Sequence, residues 1–176
     1  MLLAIASLGG ENATKELINA NIHASDTGAF YQAKTIRQTV NELAANELEA
    51  TLVLHRAALA EDGVRQLQQR IERYRATVAR YESEPDPSDP TNPLKGEGKK
   101  ELMARARAWE AKRQQAQGQD PNFDHAVAFL QIAIVLGSVA IVAGSRRILA
   151  LALAIGVVAT MLMLNGFFLF LELPVG

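Results

Sequence analysis

Two patterns of apolar positions divide the chain. Residues 11 to 83 contain no proline and two glycines, Gly28 and Gly63. A seven-residue series of apolar side chains runs through them: Ile22, Ala29, Ile36, Leu43, Ala50, Ala57, Val64, Ile71 and Val78. Beside it lies a second row, Ala33, Val40 and Leu54, interrupted by Glu47. Further on that row shifts by one position to Val53, Ala60, Leu67, Tyr74 and Tyr81. Two apolar rows repeating every seven residues predict a coiled-coil seam on long helices, with a phase change where the second row shifts. Charges of both signs fill the remaining faces, as on a solvated helix.

The second pattern is continuous apolarity. Residues 126–143 carry no charge, and after Gly144, Ser145, Arg146 and Arg147 the chain is again uncharged from Ile148 to Leu171. Runs of this length predict two helices that cross a bilayer as a hairpin. Residues 1–10 are apolar apart from Ser7 and are too short to span as a helix. With no basic start they make a poor signal peptide. They fit the end of a truncated first transmembrane helix, or a short anchor. The basic pair Arg146 and Arg147 lies in the short loop, where the positive-inside rule is most reliable, and assigns that loop to the cytoplasm. The charged segment before it then faces the periplasm.

One helix over the heptad region would extend roughly 110 Å at 1.5 Å per residue, yet the chain must return to the membrane. A turn is required, and Asp62-Gly63 is the best local candidate, because glycine tolerates the left-handed backbone of a helix end. In that register residue 43 faces residue 81, Tyr31 to Arg37 lie near the insert, and His23 lies near Glu101. Residues 85–96 form the irregular insert on the returning arm, since Pro85, Pro87, Pro90 and Pro93 cannot be helical. Asp120-Pro121 reads as the cap and first position of the helix that enters the bilayer. The expected organisation is an all-α membrane protein: the short anchor at 1–10, an extramembrane antiparallel helical hairpin at 11–122, and a transmembrane pair at 123–176.

Composition narrows the function classes. The 176 residues carry 18 Lys+Arg and 19 Asp+Glu, a net charge of −1, which gives no support for nucleic acid as a partner. Cysteine is absent, which excludes disulfides, thiol nucleophiles and cysteine-held metals or clusters. His23, His55 and His125 have no helical i, i+4 spacing among them, and no catalytic triad order or phosphate-binding loop occurs. Neither an enzyme nor a cofactor is expected.

The stretches ASLGGENATKE, ASDTGAFYQAKTIRQ, RYESEP, GEGKKELMARARAWEAKR, DPNFDHAVAFLQIAIVLGSVAIVAGSRR and LNGFFLF together resemble a bacterial membrane-protein family, domain-of-unknown-function family 4337. The match covers nearly the whole chain in order. It implies a polar, His-containing tail and a full first transmembrane helix ahead of the point where this sequence begins. It also implies an aromatic residue where Gly28 stands, and it implies topology without any activity.

Three groups of residues are singled out for interaction. Tyr31, Gln32, Lys34 and Arg37 form the densest mixture of aromatic, amide and cation in the outer half. Tyr31, Lys34 and Gln38 share a helix face beside Arg37. That face suits an anionic ligand or lipid headgroup, or else a helix–helix contact with the cations in water. In the spans, small residues at spacing four, including Gly137 and Gly156, permit close helix approach. Gln131 and Asn165 are expected to face the same seam and bond each other. Arg146 and Arg147 set the topology. The partners expected are the lipid bilayer and further copies of the chain. The functional expectation is an inner-membrane structural or interaction protein that self-associates, with an accessory subunit of a respiratory, transport or monooxygenase complex as the alternative.

Overall fold

The computed structural model describes residues 1–171 and contains four helices: α1 (Leu2–His55), α2 (Glu61–Glu82), α3 (Lys99–Ala143) and α4 (Arg146–Phe168). Among the described residues there is no strand. The fold divides into two compact units. One comprises Met1–Asn21 and the chain from Glu110 onward; the other is Ile22–Trp109. Helices α1 and α3 contribute to both.

In the Ile22–Trp109 unit, α1 and α2 run antiparallel. Lys34 meets Glu84, Gln38 meets Val78 and Glu82, and Glu49 meets Arg75, so partner numbers fall as α1 advances. The turn between them lies at residues 56–60, ahead of the expected Asp62-Gly63. The carbonyl of His55 accepts from the N–H groups of Ala58 and Leu59 at 2.9 and 3.1 Å, which closes α1. Glu61 and Asp62 instead form the first turn of α2, where carboxylates complement the helix dipole, and Asp62 pairs with Arg65 there. Gly63 adopts an ordinary helical backbone.

The register differs from expectation in a second respect. The face of α1 turned inward is Thr27, Tyr31, Lys34, Gln38, Asn41 and Ala45, while Ile22, Ala29, Ile36, Val40 and Leu43 are exposed. The seven-residue apolar series of α1 therefore points away from α2. His23 stacks on Trp109, with ring centroids 4.4 Å apart, and does not meet Glu101.

The proline-rich insert is an ordered succession of turns. The carbonyls of Asp86, Asp89 and Asn92 accept from the N–H groups of Asp89, Asn92 and Lys95, each at 3.1 Å. Pro87, Pro90 and Pro93 occupy the second position of each turn, where a fixed φ suits them. Arg105 donates to the carbonyls of Leu94 (3.1 Å) and Gly96 (2.8 Å), and the Glu97 N–H reaches the Glu84 carbonyl at 2.9 Å, closing the loop at its base. Gly96 has φ +104, a backbone that a side chain would strain.

In the other unit, Phe123 is the centre of packing. It is buried together with Ala6 and Ala13 of α1, Ala126 and Leu130 of α3, and Ala159 and Met163 of α4. Gly9 lies against the ring on the α1 side, and a Cβ on Gly166 would meet it at 2.9 Å on the α4 side. Two glycines are what let a phenyl ring fit between three helix backbones. Helix α3 continues through Asp120-Pro121, so no new helix starts there; Pro121 lies inside it. The missing proline donor is one local loss in a long helix whose neighbouring side chains are anchored, Asp120 accepting from Thr14 at 2.8 Å.

Helices α3 and α4 are long and apolar enough to cross a membrane. Only 17% and 22% of their most apolar windows are buried, which distinguishes them from core helices of a water-soluble fold. The link between them is short: Gly144 takes φ +62, and Ser145 caps α4 by accepting the Ile148 N–H at 3.5 Å. Arg146 and Arg147 form the first turn of α4. That helix ends at Phe168, short of the expected Leu171, because Leu169 adopts a left-handed backbone at φ 49.

Candidate functional site

The first candidate surface joins α1, the end of α2 and the start of α3. Lys34 is largely covered and pairs with Glu84 at 3.3 Å, its ammonium also lying 5.6 Å from the Tyr81 ring centre. Gln38 donates to Glu82 at 3.1 Å and accepts from Lys99 at 2.8 Å. Lys99 reaches Glu82 at 3.5 Å and lies 5.6 Å from the centre of the Tyr31 ring. The result is a closed polar clamp of two cations, two carboxylates and an amide, roofed by two tyrosines. The Gln38 amide holds the Glu82 carboxyl below its ordinary range against the opposing effect of burial, with the charge and hydrogen bond of Lys99 adding to it.

Of the residues singled out from sequence, Tyr31 and Lys34 join this clamp, whereas Gln32 and Arg37 are exposed on other faces of α1. The four do not converge on one ligand. Lys34 and Lys99 are already paired within the chain, which leaves the clamp the character of a helix–helix contact. Nothing in the sequence marks Glu82, Glu84 and Lys99 as its other members, because each reads as an ordinary solvated charge.

A second polar group fixes the insert. Glu101 is buried, accepting from the Ser83 hydroxyl at 2.7 Å and the Glu84 N–H at 3.1 Å. Burial pushes its carboxyl up, but the hydroxyl and backbone donors outweigh this and hold it below the ordinary range. Asp86 is lowered too, by the Ser88 hydroxyl and N–H at 2.7 and 2.8 Å.

In the apolar unit the expected Gln131–Asn165 bond does not form. Asn165 is buried and donates to Asn122 at 2.8 Å and to the Leu171 carbonyl at 2.9 Å, while its own side-chain carbonyl accepts the Leu171 N–H at 2.8 Å. Asn122, fully buried, donates in turn to the Gly118 carbonyl at 2.8 Å. Gln131 is exposed among apolar side chains of α3. The physical reason is rotation about the helix axis: Asn122 precedes the inward-facing Phe123, Ala126 and Leu130, while Gln131 lies past that face. Gly156 meets the Ala133 side chain at 3.9 Å from an ideal Cβ, whereas Gly137 faces open space in the same seam. Both line an apolar groove of about 620 Å³ between α3 and α4. Among the described residues, no three His, Asp or Glu side chains gather as ligands of a metal would.

The model of the family described as Domain of unknown function (DUF4337) matches residues 1–169. The chain belongs to this family. The match takes in all four helices, both polar groups and the Asn122–Asn165 bridge. No curated protein and no solved structure matches the chain.

Proposed function

We propose that this DUF4337 protein is a bacterial inner-membrane structural or interaction protein. It acts through contacts and not catalysis, crosses the membrane with α3 and α4, and presents the α1–α2 hairpin on the periplasmic side as a self-associating coiled-coil element. The observation that carries this reading is the exposure of the apolar side chains on α3 and α4, which water would not tolerate over such lengths. Residues 1–10 add a further apolar segment: Ala6 packs against Phe123 while Leu2, Ile5 and Leu8 face outward, as an anchor in lipid would.

Orientation rests on Arg146 and Arg147. They lie in the first turn of α4, the end of a helix at which its dipole disfavours cations. Their place follows instead from the preference of basic short loops for the cytoplasm. Alkaline carbonate extraction tests membrane integration: the protein is expected to remain in the pellet, and release into the supernatant would overturn the reading.

One observation favours the alternative, an accessory subunit of a larger membrane complex. The Gln131 amide has no partner among the described residues, and an amide in lipid gains by an interhelical bond of about 0.6 kcal/mol. A stoichiometric foreign protein purified with the chain from native membranes would decide for that alternative.

A further inference from the structure

We infer that the outward stripe of α1, from Ile22 to Leu54, is the surface through which two copies of this chain pair, as a parallel in-register coiled coil. This rests on the self-association proposed above and adds to it the surface and the register. The hairpin uses one side of α1 for α2, and that side is mostly small or polar. The opposite side carries Ile22, Ala29, Ala33, Ile36, Val40 and Leu43 at alternating spacings of four and three, with Asp26 in the place between Ile22 and Ala29, and continues past Glu47 to Ala50 and Leu54. Every one of these side chains is exposed, Ile36 by 66% and Leu43 by 62%. A fold that satisfies Lys34, Gln38 and Glu82 inside and leaves an apolar heptad outside, broken at Asp26 and Glu47, has its more apolar seam without a partner.

Three features point to a second copy as the occupant. The stripe keeps the period of 3.5 residues that matches another helix of the same kind, where a globular groove would impose no such period. In a parallel pair each layer meets itself, so alanine layers at 29 and 33 allow close approach and the layers at 36, 40 and 43 interlock. Identical patches related by a two-fold axis are self-complementary without further design. The area is also sufficient. The exposed large side chains of the stripe and its flanks, including Phe30 and Val53, offer on the order of 800 Å², about what each partner gives to a stable interface. A lipid surface fits less well, since of the flanking positions Phe30, Gln32, Arg37, Thr39, Ala44 and Asn46 only Arg37 is cationic, where a membrane-lying helix carries several lysines and arginines. Parallel orientation is the one in which each layer meets its own copy.

Glu47 supplies a signature. It occupies a seam position, so a parallel pair sets two carboxylates against each other, which opposes association. An antiparallel pair centred near residue 38 would set Glu47 against Ala29 and place no such burden on it.

The chain has no cysteine, so a single introduced cysteine can form a disulfide only with another molecule. The full chain in native membranes is oxidised with Ile36→Cys, Leu43→Cys, Glu42→Cys or Glu72→Cys, the last two exposed but off the stripe. Dimer formation at least ten-fold faster at 36 and 43 than at 42 and 72 is expected. Glu47→Leu should raise the dimer fraction of the detergent-solubilised chain several-fold at a given concentration, and Ile36→Asp with Leu43→Asp should abolish the dimer while circular dichroism retains the helix content. Equal rates at all four positions, or cross-linking only to a different protein, would overturn the proposed surface. If mass measurement still finds an oligomer in that case, self-association stands and only the surface fails. A strictly monomeric particle overturns both.

Discussion

Asn165 ties the end of α4 both to α3 and to the residues that follow it. Leu169 has a left-handed backbone without being glycine, a conformation that costs of order 1 kcal/mol or more. Both donors and the side-chain acceptor of Asn165 are used, two of its three bonds going to Leu171. Asn165→Leu should therefore unfold the end of α4 as well as break the link to α3, and lower stability by about 1–3 kcal/mol. Asn122→Leu should cost less, since it leaves the Leu171 clamp intact. Thermal melts of the two variants in the same detergent test the order; equal losses would show that the clamp contributes nothing. Glu101 gives a second residue-scale expectation. Its carboxyl, like those of Glu82 and Asp86, is held below the ordinary range, so each contributes stability that is present above that range and lost as pH falls through the lowered value. The melting temperature of the wild-type chain should fall on acidification below about pH 4, and Glu101→Gln should start lower at neutral pH but fall less steeply. Parallel pH profiles for the two would remove Glu101 from the account.

The existence of the helices was legible in the sequence, and so was the glycine-bearing link between α3 and α4. Which way α1 faces was not. Both of its sides repeat every seven residues, and hydropathy favours the side with Ile36 and Leu43. The hairpin instead uses Thr27, Lys34, Gln38 and Asn41: Lys34 and Gln38 are matched by Glu82, Glu84 and Lys99, while Thr27 and Asn41 donate to the carbonyls of His23 and Arg37 one turn back on α1. A polar seam satisfied by partners far along the chain has the same composition as a solvated face, so periodicity cannot tell them apart. The Asn122–Asn165 bridge was hidden for a related reason, since pairing two amides needs the rotation of both helices. The turn at residues 56–60 has neither glycine nor proline, and only the carboxylates that open α2 hint at it. The corrected register makes its own prediction. Ala45 and Val78 line one hollow between α1 and α2, so cysteines at these two positions should cross-link within a chain. The pair 43 and 81 should not, because Leu43 points outward. Efficient 43–81 bridging in a monomer would restore the register expected from hydropathy alone.

In the proposed function the whole molecule has two kinds of surface: one for lipid, on α3 and α4, and one for protein, on α1. The orientation that joins them to a compartment can be measured directly. With Ser88→Cys in the exposed insert, an impermeant thiol reagent added to cells with a permeabilised outer membrane should label the chain at once. Labelling only after the inner membrane is broken would put the hairpin in the cytoplasm. The short link through Gly144 and Ser145 carries a consequence of another kind. It sets Arg146 and Arg147 at a single depth, so both charges experience the same fraction of the voltage across the membrane. In the proposed orientation they sit on the electrically negative side, and carrying both to the other face would cost about 5 kcal/mol per 100 mV. In that orientation an energised cell would hold the hairpin in place by electrical work, and collapse of the membrane voltage before insertion should weaken the bias toward one topology.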